Sequence, residues 1–259
     1  MQIELIGCTG AGKSTLASSL VRSCRGRGIP LVTSREFVLR RSRLHWIPGR
    51  ALRTIALDLC AGVACLATMR RHRALYGFAV RTIFRSPALL RHKLNLLRNV
   101  LKKIGVYEII YRGCNDDQLV LVDEGTVHAV HNLFVHAQRQ ADLADLSTFV
   151  GLVPLPDVVV LVEQSESVLI DRTVARGHKR IPNRSRAAVE GFVKAANEVF
   201  HRLAREASIA ERLLVVDGRH DGVADPGAAG RPQIVLTRDI LRGASDHIPH
   251  DAGMGSPAG

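Results

Sequence analysis

Aromatic side chains are scarce in this 259-residue chain. There are seven Phe, three Tyr and one Trp, 4% of the total, so aliphatic side chains must do most of the packing. Cysteine is scarce too: the five, Cys8, Cys24, Cys60, Cys65 and Cys114, are odd in number and none sits at CxxC spacing. That indicates neither a disulfide framework nor a zinc site, and it fits a reducing cytosol. No 18-residue stretch is free of charge, and the opening MQIELIGCTGAGKS has no charged segment followed by a long apolar run. The sequence therefore predicts neither a signal peptide nor a spanning helix, and a cytoplasmic location. With 46% hydrophobic and 23% charged residues, a disordered or collagen-like chain is excluded. The length predicts a single domain over 1–259 with room for one insertion.

Acidic residues are almost missing from one interval. Residues 35–103 hold sixteen Arg and Lys against two acids, Glu36 and Asp58, a local +14 that exceeds the net +12 of the whole chain. Such an excess points either to an anionic partner, whether phosphorylated substrate, nucleic acid or an acidic membrane surface, or to a solvated helical face.

Four β-branched apolar runs read as buried parallel strands: 3–6, 118–122, 157–162 and 213–216, with a weaker fifth at 29–33. Helical patterns lie between them at 13–24, 127–138, 167–176 and 186–207. Strand and helix in alternation predict a three-layer α/β fold around a five-stranded parallel sheet. The interval at about 37–104 breaks the rhythm, because Leu52, Ile55, Ala56, Leu59, Val63 and Leu66 recur at helical spacing with no strand among them. It reads as an Arg-rich helical insertion broken at Pro48-Gly49 and Ser86-Pro87. The tail at about 244–259, rich in Gly, Pro and Ala, reads as flexible.

Gly7-Cys8-Thr9-Gly10-Ala11-Gly12-Lys13-Ser14, followed by Thr15, matches GxxxxGK[ST] in full, directly after a strand and before a helix. Its glycines let the backbone wrap a phosphate with amides pointing inward, and the helix N-terminus adds partial positive charge. Lys13 would reach the β- and γ-phosphates of ATP and the Ser14 hydroxyl would ligate Mg²⁺. The loop's geometry is expected not to depend on the Lys13 side chain. Leu119-Val120-Leu121-Val122-Asp123-Glu124 is an apolar strand ending in two carboxylates. An anion there lies beside the phosphate loop, which assigns Mg²⁺ to Asp123 with Ser14. Glu124 could polarise a water, face the substrate or cap the next helix. His128, His131 and His136 lack an HExxH arrangement and read as packing or surface residues. These features together predict the P-loop NTPase fold.

The P-loop, Ser34-Arg35-Glu36 after the second strand, Asp123-Glu124-Gly125, Pro156-Asp157 and Arg172 to Gly177, with Val189 to Val193 and Val199-Phe200, resemble thymidylate kinase and its nucleoside- and nucleotide-kinase relatives. The resemblance covers residues 1–36 and 106–220. It implies that Arg35 and Glu36 face the phosphate acceptor. It also implies a lid over 172–186, in which Arg172 and Arg176, four residues apart on one helical face, reach the transferring phosphoryl. Asp217-Gly218-Arg219 would lie near the base. The chain departs from the family where Asp-Arg-Tyr is replaced by Asp123-Glu124-Gly125, where Phe37 follows Arg35-Glu36, and in the size of the insertion. A carboxylate in place of an arginine repels a monophosphate.

Two functions are consistent with this reading. The first is an ATP-dependent phosphotransferase, with Lys13, Asp123, Glu124, Arg172 and Arg176 as its catalytic set, acting on a nucleoside monophosphate or another small metabolite. The second is an ATP-binding module that hydrolyses ATP slowly and grips nucleic acid or acidic lipid through the insertion. The acidic pair Asp123-Glu124 favours the second. The absence of aromatic residues interleaved with the basic run disfavours it.

Overall fold

Gln2–Ile6 (β1) alternates its side chains between two covered faces, and all five are buried, as expected of a strand at the centre of a sheet. The computed structural model describes residues 1–115, 118–136, 142–177, 181 and 185–218. These belong to one compact unit, Met1–Val223. The expected tail at 244–259 lies outside the described residues, as do Arg219, Lys179, Arg180, Pro182 and Arg184.

In chain order the elements are β1, α1 (Lys13–Gly26), β2 (Leu31–Thr33), α2 (Ser34–Arg41), α3 (Arg50–Ala67), α4 (Arg73–Phe84), α5 (Leu90–Gly113), β3 (Leu119–Asp123), α6 (Leu143–Leu152), β4 (Val158–Glu163), α7 (Glu166–Arg176), α8 (Arg186–Leu203), α9 (Ala207–Ala210) and β5 (Leu213–Asp217). The five strands are parallel in the order β2-β3-β1-β4-β5, within a three-layer α/β P-loop fold. From β1 the chain moves out to β2, returns to β3, then crosses β1 to reach β4. This reversal opens a crevice at the carboxyl ends of β1 and β3, where such sheets bind ligands.

Four helices, α2 to α5, lie between β2 and β3. Phe37 and Val38 of α2, Leu57 and Ala61 of α3, and Val106 and Ile110 of α5 pack on Val120 and Val122 of β3, fixing the insertion against the edge of the crevice. Breaks occur at Pro48-Gly49 and Ser86-Pro87, and a third falls between α3 and α4. There the Thr68 hydroxyl bonds back to the Ala64 carbonyl at 2.8 Å, competing with helix continuation.

The apolar stripe that marked α3 as a helix does not face the core. Leu52, Ile55, Leu59, Val63 and Leu66 are 55–68% exposed, while Ala56, Leu57, Ala61 and Cys65 are buried. Small residues decide the orientation. A Cβ on Gly105 of α5 would come within 2.0 Å of the Ala61 carbonyl, so only the Ala61 side of α3 permits this close crossing.

The insertion also buries Glu108 of α5. His72 Nε2 lies 2.6 Å from its carboxylate, Arg112 3.3 Å and Arg71 3.7 Å, with the Arg71 guanidinium 5.0 Å from the Tyr111 ring centre.

The helix expected at 127–138 does not run as a regular α-helix over its described residues, 127–136. Residues 126–131 wind in turns with i→i+3 bonds, and His131–Val135 is a π-helix closed by the His136 amide on the His131 carbonyl at 2.9 Å. Every residue from 125 to 136 is buried, so no solvent-facing side exists to set a 3.6-residue period, and packing dictates the winding. The long helix expected at 186–207 ends at Leu203, and α9 follows it. Among the described residues no helix is long and apolar enough to cross a membrane.

Candidate active site

The phosphate loop joins β1 to α1. Gly7, Gly10 and Gly12 have φ of 134°, 89° and 97°, a region costly for side-chain-bearing residues. At Gly7 the approach is also too close for a Cβ, which would lie 2.5 Å from the Val162 carbonyl of β4. Gly12 caps α1 without any side-chain acceptor, so the first amides of a 14-residue helix point out of the loop with only an anion or water to meet them.

Lys13 is 6% exposed. Its Nζ donates to the carbonyls of Gly7 at 2.9 Å and Cys8 at 3.0 Å, and lies 3.5 Å from Glu124 Oε1. Through these bonds the side chain ties the two ends of the loop together. Cys8 is buried, and loss of solvation pushes its thiol up to about 12, leaving it unreactive near neutral pH.

Ser14 Oγ donates to Asp123 Oδ2 at 3.2 Å, bringing both sequence-assigned metal ligands together. Burial, then the neighbouring Glu124 carboxylate, push the Asp123 carboxyl above its ordinary value, with Lys13 and the Ser14 bond opposing. A divalent cation between these oxygens would relieve that cost. Two hard oxygen donors facing a phosphate loop fit Mg²⁺, which takes few protein ligands and completes its shell with phosphate and water.

Glu124 has φ 64°, a left-handed conformation uncommon for a residue with a side chain. It aims the carboxylate back at Lys13 and at His128 Nε2, 3.6 Å away.

Beneath this corner sits Glu4 of β1, fully buried. Its Oε1 accepts from the His128 amide at 2.7 Å, and its Oε2 from the Val127 amide at 3.2 Å and the Thr126 hydroxyl at 3.4 Å. A Cβ at position 125 would lie 2.6 Å from Glu4 Oε2, so Gly125 makes room for this carboxylate. Sequence reasoning passed over Glu4, although a lone acid inside an apolar strand is its own signal.

Lys103 of α5 was also missed. Its Nζ lies 3.3 Å from His128 Nδ1, and His128 Nε2 lies 3.3 Å from the Gly7 carbonyl. Burial pushes the His128 imidazole well below its ordinary value. The neutral ring therefore accepts from the ammonium at Nδ1 and donates to the loop carbonyl at Nε2. No linear pattern separates Lys103 from the other cations of the insertion.

A cavity of 580 Å³ opens beside Ser14 and Asp123. Its walls include Thr33, Ser34 and Arg35, Leu57, Asn99, Lys102, Lys103 and Val106 from the insertion, and Glu124, Gly125 and Asn132. Arg35 reaches it because Thr33 caps α2, its hydroxyl accepting from the Glu36 amide at 3.3 Å, and so places Arg35 in the helix's first turn. Glu36 is not among the lining residues and is instead paired with Arg40.

On the opposite side, Arg172 donates to the Gly10 carbonyl at 3.1 Å and the Thr173 hydroxyl to the Thr9 carbonyl at 3.5 Å, fastening α7 to the loop. Arg176 is exposed one turn further on. Arg186 is held by Asp171 at 3.1 Å and Glu190 at 3.3 Å. Gly218, after β5, accepts from Gln164 Nε2 at 2.6 Å. His131 and His136 pack against Phe192, and His131 also against Phe200.

No family model and no curated protein matches this chain. Among solved structures, it is similar to thymidylate kinase from Ehrlichia chaffeensis, with 13% identity and a TM-score of 0.48 over 93% of this chain and 98% of that one. It is also similar to deoxyadenosine kinase from M. mycoides with bound dATP, with 14% identity and a TM-score of 0.43 over 93% of this chain and all of that one. At these identities the functional reading rests on the site's own geometry.

Proposed function

We propose that this chain is an ATP-dependent phosphotransferase acting on a small molecule held in the 580 Å³ cavity. The observation that carries the proposal is the continuity of that cavity with the Ser14–Asp123 pair. A hydrolase needs room only for water, whereas this chain has walls from β2, β3, α2, α3 and α5 around space for an organic acceptor.

In this reading the loop amides and Lys13 hold the β- and γ-phosphates, Lys13 exchanging its bonds to Gly7 and Cys8 for phosphate oxygens. Ser14 and Asp123 would hold Mg²⁺, which would supply neutralising charge to the phosphate oxygens. Glu124 lines the cavity and faces Lys13, within reach of a hydroxyl proton released there. Arg172, already against the loop at Gly10, adds positive charge where the phosphoryl group carries it. Arg176 remains a candidate for the same task from the next turn of α7. Arg35 is the acceptor contact in this reading, while Glu36 is paired with Arg40 and does not line the cavity.

Within the insertion Arg71 pairs with Glu108, Arg98 and Lys102 with Asp58, and Lys103 lies against His128, while Arg50, Arg53, Arg70 and Arg81 are exposed. The test is to incubate γ-labelled ATP and Mg²⁺ with fractionated small metabolites. Label moving into an organic product, and lost with Lys13→Met, is the expected result. Label recovered only as inorganic phosphate would refute the proposal.

A further inference from the structure

Nucleobases are recognised by stacking on aromatic faces together with hydrogen bonds to their edges. All eleven Phe, Tyr and Trp side chains of the chain lie among the described residues, and none lines the cavity beside Ser14 and Asp123. Most are committed elsewhere, and Trp46 is 70% exposed. Tyr107 and Tyr111 stack on each other with ring centres 5.9 Å apart, Phe78 pairs with Phe134, and Phe192 and Phe200 pack on the buried histidines. The segments outside the description contain no aromatic residue to add.

The cavity offers polar groups of another kind. Arg35 in the first turn of α2, Asn99 and Lys103 along α5, and Asn132 present donors, with amide oxygens and the Ser18 and Ser34 hydroxyls able to accept. Ala17, Leu57, Val106, Leu121 and Val122 supply a broad aliphatic wall. Spaced donors and acceptors facing such a wall complement a saturated ring or chain that bears several hydroxyls and turns its C–H face to the wall. Among the described residues no aromatic face lines the cavity to stack on a flat heterocycle.

We infer that the acceptor is a polyhydroxylated, non-aromatic compound of the sugar or polyol class, free or phosphorylated, and not a nucleoside or nucleotide. This inference rests on the phosphotransferase reading. The acceptor hydroxyl oxygen forms a bond to the γ-phosphorus, and the bond from that phosphorus to the β,γ-bridging oxygen breaks. ADP leaves with the electron pair, and the hydroxyl proton passes to the Glu124 carboxylate. Arg35, which has no ion-pair partner among the described residues, would hold the phosphate of a phosphorylated acceptor.

The experiment measures transfer of label from γ-labelled ATP with Mg²⁺ to four panels: neutral sugars and polyols, their monophosphates, nucleosides, and nucleoside monophosphates. Binding of Mg-ATP is measured separately by calorimetry. The expected result is a kcat/KM at least tenfold higher for the best sugar, polyol or monophosphate of these than for any nucleoside or nucleotide. Asn99→Leu should raise that acceptor's KM at least fivefold with the Mg-ATP Kd unchanged. A phosphorylated acceptor as the best substrate, with its KM raised further by Arg35→Met, distinguishes the two sources of the same chemistry. Preference for a nucleoside or nucleotide overturns the inference and leaves the phosphotransferase reading standing. Transfer to no panel member by a protein that binds Mg-ATP also overturns the inference. Absence of Mg-ATP binding, or release of label solely as inorganic phosphate, overturns the reading beneath it.

Discussion

The Lys103 ammonium lies 3.3 Å from His128 Nδ1, and through the far side of that ring it reaches the Gly7 carbonyl, also at 3.3 Å. One helix of the insertion is thereby connected to the phosphate loop. Lys103 carries its charge at a cost, since burial lowers its pKa against the attraction of Glu124, Glu4 and Asp123.

Replacing Lys103 with Met keeps the aliphatic stem and removes the donor. His128 Nδ1 loses its partner, and the three nearby carboxylates lose a counter-charge. The expected outcome is a stability loss of about 1 to 3 kcal/mol, the range for breaking a charged hydrogen bond in a buried setting, with turnover reduced at least tenfold. Urea unfolding and initial rates check it. Wild-type values in both would remove Lys103 from the site.

Lys13→Ala has two separable consequences. It removes the cation that meets the phosphates, so Mg-ATP binding should be lost in calorimetry. It also leaves the Gly7 and Cys8 carbonyls without the donor they have now, so the nucleotide-free protein should lose about 1 to 3 kcal/mol of stability. A variant with an unchanged denaturation midpoint would show that the loop does not need this side chain.

Glu4 supplies a pH dependence whose sign follows from its burial. Desolvation raises its carboxyl from 4.5 to about 7, against the opposing bonds from His128, Val127 and Thr126 and the charge of Lys103. A carboxyl that binds its proton more tightly when folded contributes stability that is complete below pH 4.5 and is lost as pH rises through about 7. Glu4→Gln cannot titrate. Its stability relative to wild type should rise between pH 5 and pH 8 by up to about 3 kcal/mol, at about 1.4 kcal/mol for each tenfold change in proton affinity. Denaturant titrations of both proteins at the two pH values measure this, and a difference independent of pH would contradict it.

The parts of the fold that were legible in the sequence are those where local and tertiary demands coincide. Leu119 to Val122 is covered on both faces of a central strand and reads as an unbroken apolar run. The Gly7–Ser14 loop is legible because only glycine meets its positive φ angles and close approaches. Legibility failed where three-dimensional packing chose among equal local options. Nothing along α3 shows that Ala61 and Cys65, rather than Leu59 and Val63, face inward, since that depends on Gly105, 44 positions after Ala61. The 127–138 segment has a helical pattern, yet it is buried through 136 and pinned at its start by Glu4. In the site, Asp123 ends β3 and Arg35 follows β2, so both could be placed from topology. Lys103 and Asn99 reach the same cavity only because α5 packs across β3.

The central claim is that ATP's γ-phosphoryl group passes to an organic acceptor at the Ser14–Asp123 corner. The most direct measurement follows γ-labelled ATP in the presence of Mg²⁺ and a mixture of sugars, polyols, nucleosides and their monophosphates, for wild type and Asp123→Asn. The account predicts acceptor-dependent ADP release, with label in an organic phosphate, and at least a hundredfold slower transfer in the variant, which still binds ATP. ADP release at the same rate with and without acceptor, with all label in inorganic phosphate, would contradict it.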